Sequence, residues 1–278
     1  MNATYQLITD QIIADLQKGK IAWRKDWATR GLPRNYISKQ PYSGINMFLL
    51  SIDEKYTSRE YLTFNQVNQL GGHVLKGEKA QRVIFWKVLD IKEAEEDKTI
   101  PFLKYYYVFN LEQTTIKPKI ITREFNPIDE AEKIISGYLT KPEIQYKGDK
   151  AFFNTKTDYI QMPPKETFKS DAGYYATMFH ELTHSTGHKS RLNRFTEETN
   201  LDFGKEDYSK EELIAEMGSA FLCAIAGISN EVIENQTAYI QNWLTALKND
   251  NTLVIKASAK ANKAVKYIIN KEIELKVH

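Results

Sequence analysis

The chain has 278 residues, of which 42% are hydrophobic and 27% are charged, a composition typical of a folded globular protein rather than a disordered one. It contains no apolar run of the roughly 18 residues that a membrane helix requires, and its start lacks the basic opening and apolar centre of a secretory signal, so we expect neither membrane insertion nor secretion. The single cysteine, Cys223, allows no internal disulfide, which suits a reducing compartment and predicts a cytoplasmic protein.

The charge is unevenly distributed along the chain. Residues 1–125 carry a net charge of +5 and residues 126–278 carry −3, which together give the formal net charge of +2. The length is sufficient for two domains, each with its own core. We predict a division into residues 1–122 and 123–278, because periodicity lapses between Pro118 and Asn126. A basic N-terminal half favours a polyanion as its partner.

The first predicted element is an amphipathic helix that ends before Gly19. Its apolar positions recur at helical spacing: Tyr5, Ile8, Ile12 and Leu16. A short second helix is predicted over Leu62–Leu70, with Thr63 as the residue that starts it and the pair Gly71–Gly72 as the signal that ends it.

Between these two helices, aromatic side chains alternate with cationic and amide side chains. The candidates for contacts with nucleic acid are Trp23, Arg24, Lys25, Trp27, Arg34, Asn35, Tyr42 and Asn46. Such interleaving is typical of proteins that bind single strands, since rings stack on unpaired bases while Lys and Arg follow the phosphates. The competing interpretation is that Trp23 and Trp27 are core residues, because tryptophan is usually buried.

Two predicted strands, Arg82–Val88 and Lys104–Asn110, are rich in β-branched and aromatic residues. The charged segment between them, residues 90–100, predicts a solvated hairpin loop. We therefore expect the N-terminal half to combine helices with a small antiparallel sheet, whose exposed face is available to carry aromatic residues.

The C-terminal half begins with a helix that Asn126 caps and Pro127 starts. Further along, Lys156–Met162 alternates as a strand does, and Pro163–Pro164 ends it. A strand directly before an active-site helix is a candidate edge for holding an extended peptide by added pairing.

The motif that carries most chemistry is HELTHSTGH, residues His180–His188. Four positions along a helix turn a side chain by only about 40°, so His180 and His184 lie on one face and reach a single divalent metal, with Glu181 beside them. This is the HExxH arrangement of zinc hydrolases. The string also occurs by chance, but Ser170 or Asp171 caps a helix start before it and Gly187 stands where a helix stops.

A long helix follows, in which Glu212 and Glu216 are four residues apart. A carboxylate from a later helix is the third protein ligand that a two-histidine zinc site needs, and it leaves a fourth position for water. We favour Glu212 as the ligand and Glu216 as the residue that orients a metal-bound histidine. Alternatively, Ser209 and Glu212 form a capping box, and Glu216 is the ligand. His188 follows the helix stop and is a loop residue or an alternative ligand.

With zinc bound at these residues, we expect the metal to make a water molecule acidic and to polarise the carbonyl group that is attacked. Glu181 is then the base that takes the proton of the water. The candidates for stabilising the oxyanion are Tyr174, Tyr175, Arg191 and Arg194, and the sequence does not choose among them. Zinc (Zn2+) is the default cofactor, while two histidines and a carboxylate also suit Mn2+, Co2+ or Ni2+.

Both halves together resemble the ArdC family of antirestriction proteins. The resemblance rests on IAWRKDW (Ile21–Trp27), PRN (Pro33–Asn35), YSGIN (Tyr42–Asn46), LTFNQV (Leu62–Val67), LGGHVLKGE (Leu70–Glu78), VIFWK (Val83–Lys87), YVFNLEQ (Tyr107–Gln113), HELTHSTGHKSRLNR (His180–Arg194) and EELIAE (Glu211–Glu216). These segments occur in family order from about residue 5 to residue 230. One departure is Ser185, where the family pattern has a tryptophan, and it affects packing rather than a ligand.

The resemblance implies an N-terminal domain that binds single-stranded DNA and a C-terminal zincin-like metallopeptidase domain, which together protect incoming plasmid or mobile-element DNA from host restriction. It implies an α+β fold, with an N-terminal domain of helices and antiparallel sheet and a mostly helical C-terminal domain. Two alternatives are a zinc-dependent endopeptidase that acts on a protein or peptide substrate, with the first domain used only for targeting, and a structural metal site without a reaction.

Overall fold

The computed structural model describes residues 3–21, 23, 32–51, 55–93, 96–117, 126–196, 199, 206–229 and 236–270. The helices are α1 (Ala3–Gln17), α2 (Ile45–Ser51), α3 (Phe64–Gln69), α4 (Pro127–Gly137), α5 (Asp171–Ser185), α6 (Glu206–Ala226), α7 (Gln236–Asn249) and α8 (Leu253–Ile268). The strands are β1 (Arg34–Asn35), β2 (Glu60–Leu62), β3 (Gln81–Glu93), β4 (Glu96–Asn110), β5 (Glu143–Tyr146), β6 (Phe152–Asn154) and β7 (Tyr159–Met162). The fold is α+β, with a sheet in the N-terminal part and a mostly helical C-terminal part.

The N-terminal sheet has the strand order β1-β2-β4-β3. Its pairs are antiparallel except for β1 and β2, which run parallel. The strands β3 and β4 form a long hairpin whose register continues to Glu93 opposite Glu96. The expected loop over residues 90–100 is therefore wrong. Two antiparallel strands can be joined by a connection of only two residues. The charged composition of this segment therefore did not show where the pairing of β3 with β4 ends.

Local signals placed several helix ends correctly. Thr63 caps α3 in a capping box with Gln66, and the side chain of Asn126 accepts hydrogen bonds at the start of α4. Ser170 caps α5 by accepting a hydrogen bond from the backbone of Gly173. In contrast, α6 begins at Glu206, before Ser209, so the capping-box alternative for Ser209 and Glu212 is wrong.

One large hydrophobic core crosses the predicted division of the chain. The ring of Phe48 on α2 stacks on Phe221 of α6 at a centroid distance of 4.7 Å, and Trp23 packs edge-on against Trp243 of α7 at 5.2 Å. Apolar residues of α1 belong to the same cluster as those of α5, α6 and α8. The largest core is therefore shared by both halves. Two smaller apolar clusters, one around Tyr61 and Val108 and one around Leu62 and Leu111, lie within the N-terminal half, and the boundary at residues 122 and 123 stays a prediction.

The C-terminal part contains a three-stranded sheet of order β5-β7-β6, in which β7 is central. The predicted strand over residues 156–162 is shorter than expected, because the Asn154 side chain accepts hydrogen bonds from the backbone of Lys156 and Thr157 and so forms a turn. β7 is the strand that precedes the HExxH helix, and it has a neighbouring strand on both sides. The edge that was expected at this strand is therefore not there.

Helices α5 and α6 approach each other closely at Gly218. A Cβ atom there would lie 2.4 Å from Cγ2 of Thr183, so only glycine fits without a shift of one helix. This contact lies between the helix that carries the two histidines and the helix that carries the glutamates. Within the described part of the chain, no helix has both the length and the apolar character needed to cross a membrane.

Candidate metal centre

His180 and His184 lie one turn apart on α5, and Glu212 reaches them from α6. Their Nε2 atoms are 3.0 Å apart. Oε2 of Glu212 lies 3.6 Å from Nε2 of His180, and Oε1 lies 3.4 Å from Nε2 of His184. All three side chains are largely buried. Two imidazole nitrogens this close repel each other unless a cation, either a proton or a metal, lies between them.

These distances fit the donor set of a tetrahedral metal. Ligand atoms that lie about 2.0–2.1 Å from a tetrahedral zinc ion are roughly 3.3–3.4 Å apart. The nitrogen–nitrogen distance and the two nitrogen–oxygen distances, which involve different oxygens of Glu212, bracket this value. Among the residues that the structure describes, His180, His184 and Glu212 form the group of three that brings ligand atoms together in this way. A carboxylate and two imidazoles are also the residue types that zinc and related divalent ions prefer.

The neighbouring Glu211 holds His184 in place. Its Oε1 lies 3.3 Å from Nδ1 of His184. Because a carboxylate only accepts hydrogen bonds, this contact keeps the imidazole proton on Nδ1 and leaves Nε2 free to bind a metal. Arg194 in turn donates to both oxygens of Glu211, at 2.6 and 3.1 Å, and this ion pair is almost fully buried.

Glu211 was not among the residues predicted from the sequence, where its role was given to Glu216. Among the described residues, Glu216 is not part of the group of potential metal ligands, and the contact with the far nitrogen of His184 is made by Glu211. The signal that was available is the adjacent pair Glu211 and Glu212, because two consecutive helical positions differ by about 100° and so contact two different sides of a neighbouring histidine.

Glu181 follows His180 directly and is not one of the three potential metal ligands. Its carboxylate is buried and accepts a hydrogen bond from the backbone N–H of Phe153 on β6. Burial raises the pKa of Glu181, which makes its carboxylate a stronger base than an exposed glutamate. The strand β6 is an edge of the small sheet, and its backbone therefore borders the site.

Three of the four candidates for oxyanion stabilisation are held by other partners. Arg191 forms an ion pair with Asp158 and donates to the backbone oxygen of Ser185. The hydroxyl of Tyr175 donates to Glu132 at 2.6 Å. These contacts, together with the ion pair between Arg194 and Glu211, show that both arginines and Tyr175 hold other parts of the structure in place.

His188 and Ser185 lie just after the two histidines. Nδ1 of His188 contacts Ser190 at 2.8 Å and lies 3.6 Å from Asp158, which places His188 in the loop and outside the group of potential metal ligands. The small Ser185 side chain is buried, and the hydroxyl of Tyr138 lies 3.3 Å from it. The departure at Ser185 thus concerns packing.

Proton release is expected when a metal binds. Burial lowers the pKa of His184, but the carboxylates of Glu211 and Glu212 outweigh it and raise the pKa to about 10. The pKa of His180 is raised in the same way by Glu212, against the effect of burial. His184 is therefore protonated at neutral pH before a metal arrives, so binding should release about one proton and should tighten as the pH rises. Calorimetric titration with Zn2+ in buffers of different ionisation enthalpy measures this number, and zero protons released at pH 7.5 would contradict it.

Several residues predicted to contact nucleic acid have internal partners instead. Trp23 is completely buried, so its ring is not available to a base, and the competing interpretation as a core residue is correct for Trp23. The amide of Asn46 forms two hydrogen bonds with the backbone of Ile84, at 2.6 and 2.7 Å, and so occupies the outer edge of β3. The side chain of Asn35 accepts two backbone hydrogen bonds in a turn.

The other candidates divide into two groups. Arg34 pairs with Glu60, although nearly half of its side chain is exposed. Tyr42 packs edge-on against Tyr61 and shares a hydrogen bond with Tyr106. The remaining candidates lie outside the described residues: Arg24, Lys25 and Trp27. The predicted cluster therefore does not form one exposed surface among the described residues.

Comparison with protein families finds a match in each half of the chain. Residues 2–109 match the family model of the N-terminal domain of anti-restriction factor ArdC. Residues 129–260 match a model of a zincin-like metallopeptidase. A zincin-like domain implies a divalent metal, and the residues His180, His184 and Glu212 all lie within the matched range.

Curated relatives and solved structures cover nearly all of the chain. An uncharacterized protein y4eC from Sinorhizobium fredii is 31% identical over 92% of this chain and 88% of its own length. Two DNA primases TraC from Escherichia coli are 32% and 30% identical over 95% of this chain, which spans only 20% and 27% of their lengths. Two crystal structures of the antirestriction protein ArdC from plasmid R388 also match. The metal-free structure is 37% identical over 95% of this chain and 96% of that one, with a TM-score of 0.77. The Mn(II)-bound structure is 38% identical over 98% of each chain, with a TM-score of 0.79.

Proposed function

The chain belongs to the ArdC family of antirestriction proteins, with that family's N-terminal domain followed by a zincin-like domain, and from this premise we propose that it binds single-stranded DNA and protects incoming plasmid or mobile-element DNA from host restriction. The proposal includes a zinc site formed by His180, His184 and Glu212, with Glu181 as the general base. The observation that supports the metal site best is the convergence of one ligand atom from each of these three ligand residues to within 4.8 Å of one another.

The chemistry of the site follows from the positions of its side chains. A bound divalent ion would supply Lewis-acid chemistry, which acidifies water and polarises a carbonyl group. Glu181 accepts a proton from water, and its raised pKa suits a base that works near neutral pH. Glu211 fixes the tautomer of His184, and Arg194 fixes Glu211. The related R388 protein is described with Mn(II), and this donor set also suits Mn2+, Co2+ and Ni2+.

A second candidate function is a zinc-dependent endopeptidase whose N-terminal half serves only for targeting. The observation that favours it is the edge strand β6, whose Phe153 backbone donates to Glu181. An extended peptide paired with this edge would pass close to the proposed base. A purely structural metal site is less well supported, because structural zinc sites have four protein ligands and the group found among the described residues has three.

Binding of oligonucleotides tests the DNA part of the proposal. We expect the full-length protein to bind a labelled single strand more tightly than a duplex of the same length. Because cations neutralise phosphates, the logarithm of the association constant should fall linearly with the logarithm of the salt concentration, by about 0.7 per phosphate contact for a single strand. Fluorescence anisotropy at several salt concentrations measures both effects. Equal and weak binding of single and double strands would remove the DNA-binding function.

A further inference from the structure

Two tyrosines on β4 are exposed on one face of the N-terminal sheet. Tyr105 and Tyr107 are two positions apart and therefore point to the same side. They are 44% and 47% exposed, whereas Leu103 on the same side of the strand is only 2% exposed. Their ring centroids are 5.7 Å apart with an interplanar angle of 79°. Since neighbouring large aromatic side chains are normally buried, a pair of half-exposed rings on a sheet indicates a surface for a ligand.

The tyrosine between them has a different environment. Tyr106 points to the opposite face of β4, where it shares a hydrogen bond with Tyr42 and packs against Phe85 at a centroid distance of 5.8 Å. Tyr106 is itself 36% exposed, but its contacts with Tyr42 and Phe85 hold it to the fold, whereas Tyr105 and Tyr107 pack against each other.

The surroundings of the exposed pair are positively charged. Arg82 on β3 is the register partner of Tyr107, so its side chain lies on the same face of the sheet. Arg82 has no carboxylate partner among the residues that the structure describes. The two segments that form this part of the hairpin, 81–85 and 103–109, contain no acidic residue. Of their two cations, Arg82 shares the face of the exposed pair and Lys104 lies on the opposite face. An anionic ligand therefore meets attraction and no acidic repulsion from these segments.

We propose that Tyr105, Tyr107 and Arg82 form the surface that contacts single-stranded DNA, with bases against the two rings and a phosphate at the guanidinium. This inference rests on the proposed function and places the contact on the sheet instead of at Trp23, Asn35 and Asn46. A single strand fits because its unpaired bases expose their faces, whereas the bases of a duplex are already stacked on one another. The chemistry requires no particular sequence, because every base has a face that stacks.

Substitution of the two rings tests the surface in the full-length protein. Tyr105→Ala and Tyr107→Ala should each weaken binding of a labelled oligothymidine about tenfold, which is within the range measured for loss of one stacking contact. The corresponding changes to phenylalanine should keep binding within about twofold, because stacking needs the ring and not the hydroxyl. Arg82→Ala should reduce the slope of the salt dependence by about one phosphate. Tyr146→Ala is the matched control, since Tyr146 on β5 is 55% exposed and belongs to the other half of the chain.

The outcomes separate this surface from the proposed function. If the wild-type protein binds single strands and both alanine variants bind within twofold of it, DNA lies elsewhere and the inference is wrong, while the DNA-binding function stands. If the wild-type protein does not prefer single strands, both fail. Photocrosslinking to an oligonucleotide with 5-bromouracil gives a measurement without substitution. The crosslinked peptide should contain residues 103–109, and crosslinks confined to other peptides would overturn the assignment.

Discussion

Replacing Glu181 with glutamine is expected to leave the fold and the metal content unchanged while lowering hydrolysis of a peptide bond by a factor on the order of 10²–10⁴, the usual contribution of a general base. Glutamine has nearly the same shape, and its side-chain oxygen can still accept the hydrogen bond from the backbone of Phe153. None of the three proposed ligands is altered. The amide cannot take a proton from water, so the change removes only the step assigned to Glu181.

The measurement compares metal-loaded wild-type and Glu181→Gln proteins on a mixture of fluorogenic peptides, with metal stoichiometry determined on the same samples. Equal rates for the two proteins would show that Glu181 is not the base. The same pair of proteins separates the two candidate functions in a plasmid transfer assay with a restricting host. If protection of the incoming DNA is lost with glutamine, proteolysis is part of the mechanism, and if it persists, DNA binding is sufficient.

The second large effect is expected at Glu211. Replacing it with glutamine should weaken metal binding by about 10–100-fold, as is typical when a residue that orients a metal-bound histidine is lost. The neutral amide no longer fixes the proton on Nδ1 of His184, and Arg194 loses both of its charged contacts. Competition with a chromophoric chelator measures the affinity. Glu216→Gln is the matched control, because it makes the same chemical change one turn further along α6.

Stability has to be separated from positioning in this experiment. A buried arginine without its carboxylate destabilises a protein by about 3–5 kcal/mol, so Glu211→Gln should also lower the melting temperature. The double variant with methionine at Glu211 and Arg194 removes the isolated charge and restores much of that loss, while metal affinity should remain low. If Glu216→Gln weakens metal binding and Glu211→Gln does not, the assignment from sequence was right and ours is wrong.

Features set by neighbours in sequence were predictable. The spacing of His180 and His184 and the cap at Thr63 depend on a single turn of helix, and the structure has both. The adjacent pair Glu211 and Glu212 indicated that two carboxylates contact the histidines, but the choice between Glu211 and Glu216 also depends on how α6 crosses α5. The close approach of Gly218 to Thr183 at this crossing is not revealed by any local pattern.

The same limit explains the surface predicted for DNA. Alternating aromatic and polar residues look alike whether their partners are bases or distant parts of the chain. Asn46 pairs with Ile84 and Trp23 with Trp243, and both partners are remote in sequence. The exposed pair on β4 lay within a predicted strand, but only the contacts of Tyr106 with Tyr42 and Phe85 distinguish it from Tyr105 and Tyr107.

The apolar cluster that joins α1 and α2 to the C-terminal helices makes the two family domains interdependent. Cutting the chain between them would expose Phe48 and Phe221 to water, so isolated halves would be poor stand-ins for the intact molecule. Unfolding should be a single cooperative event, and an ion held between α5 and α6 should slow amide exchange in the N-terminal helices as well. The sheet that carries Tyr105 and the helices that carry His180 and Glu212 should therefore gain or lose their structure together.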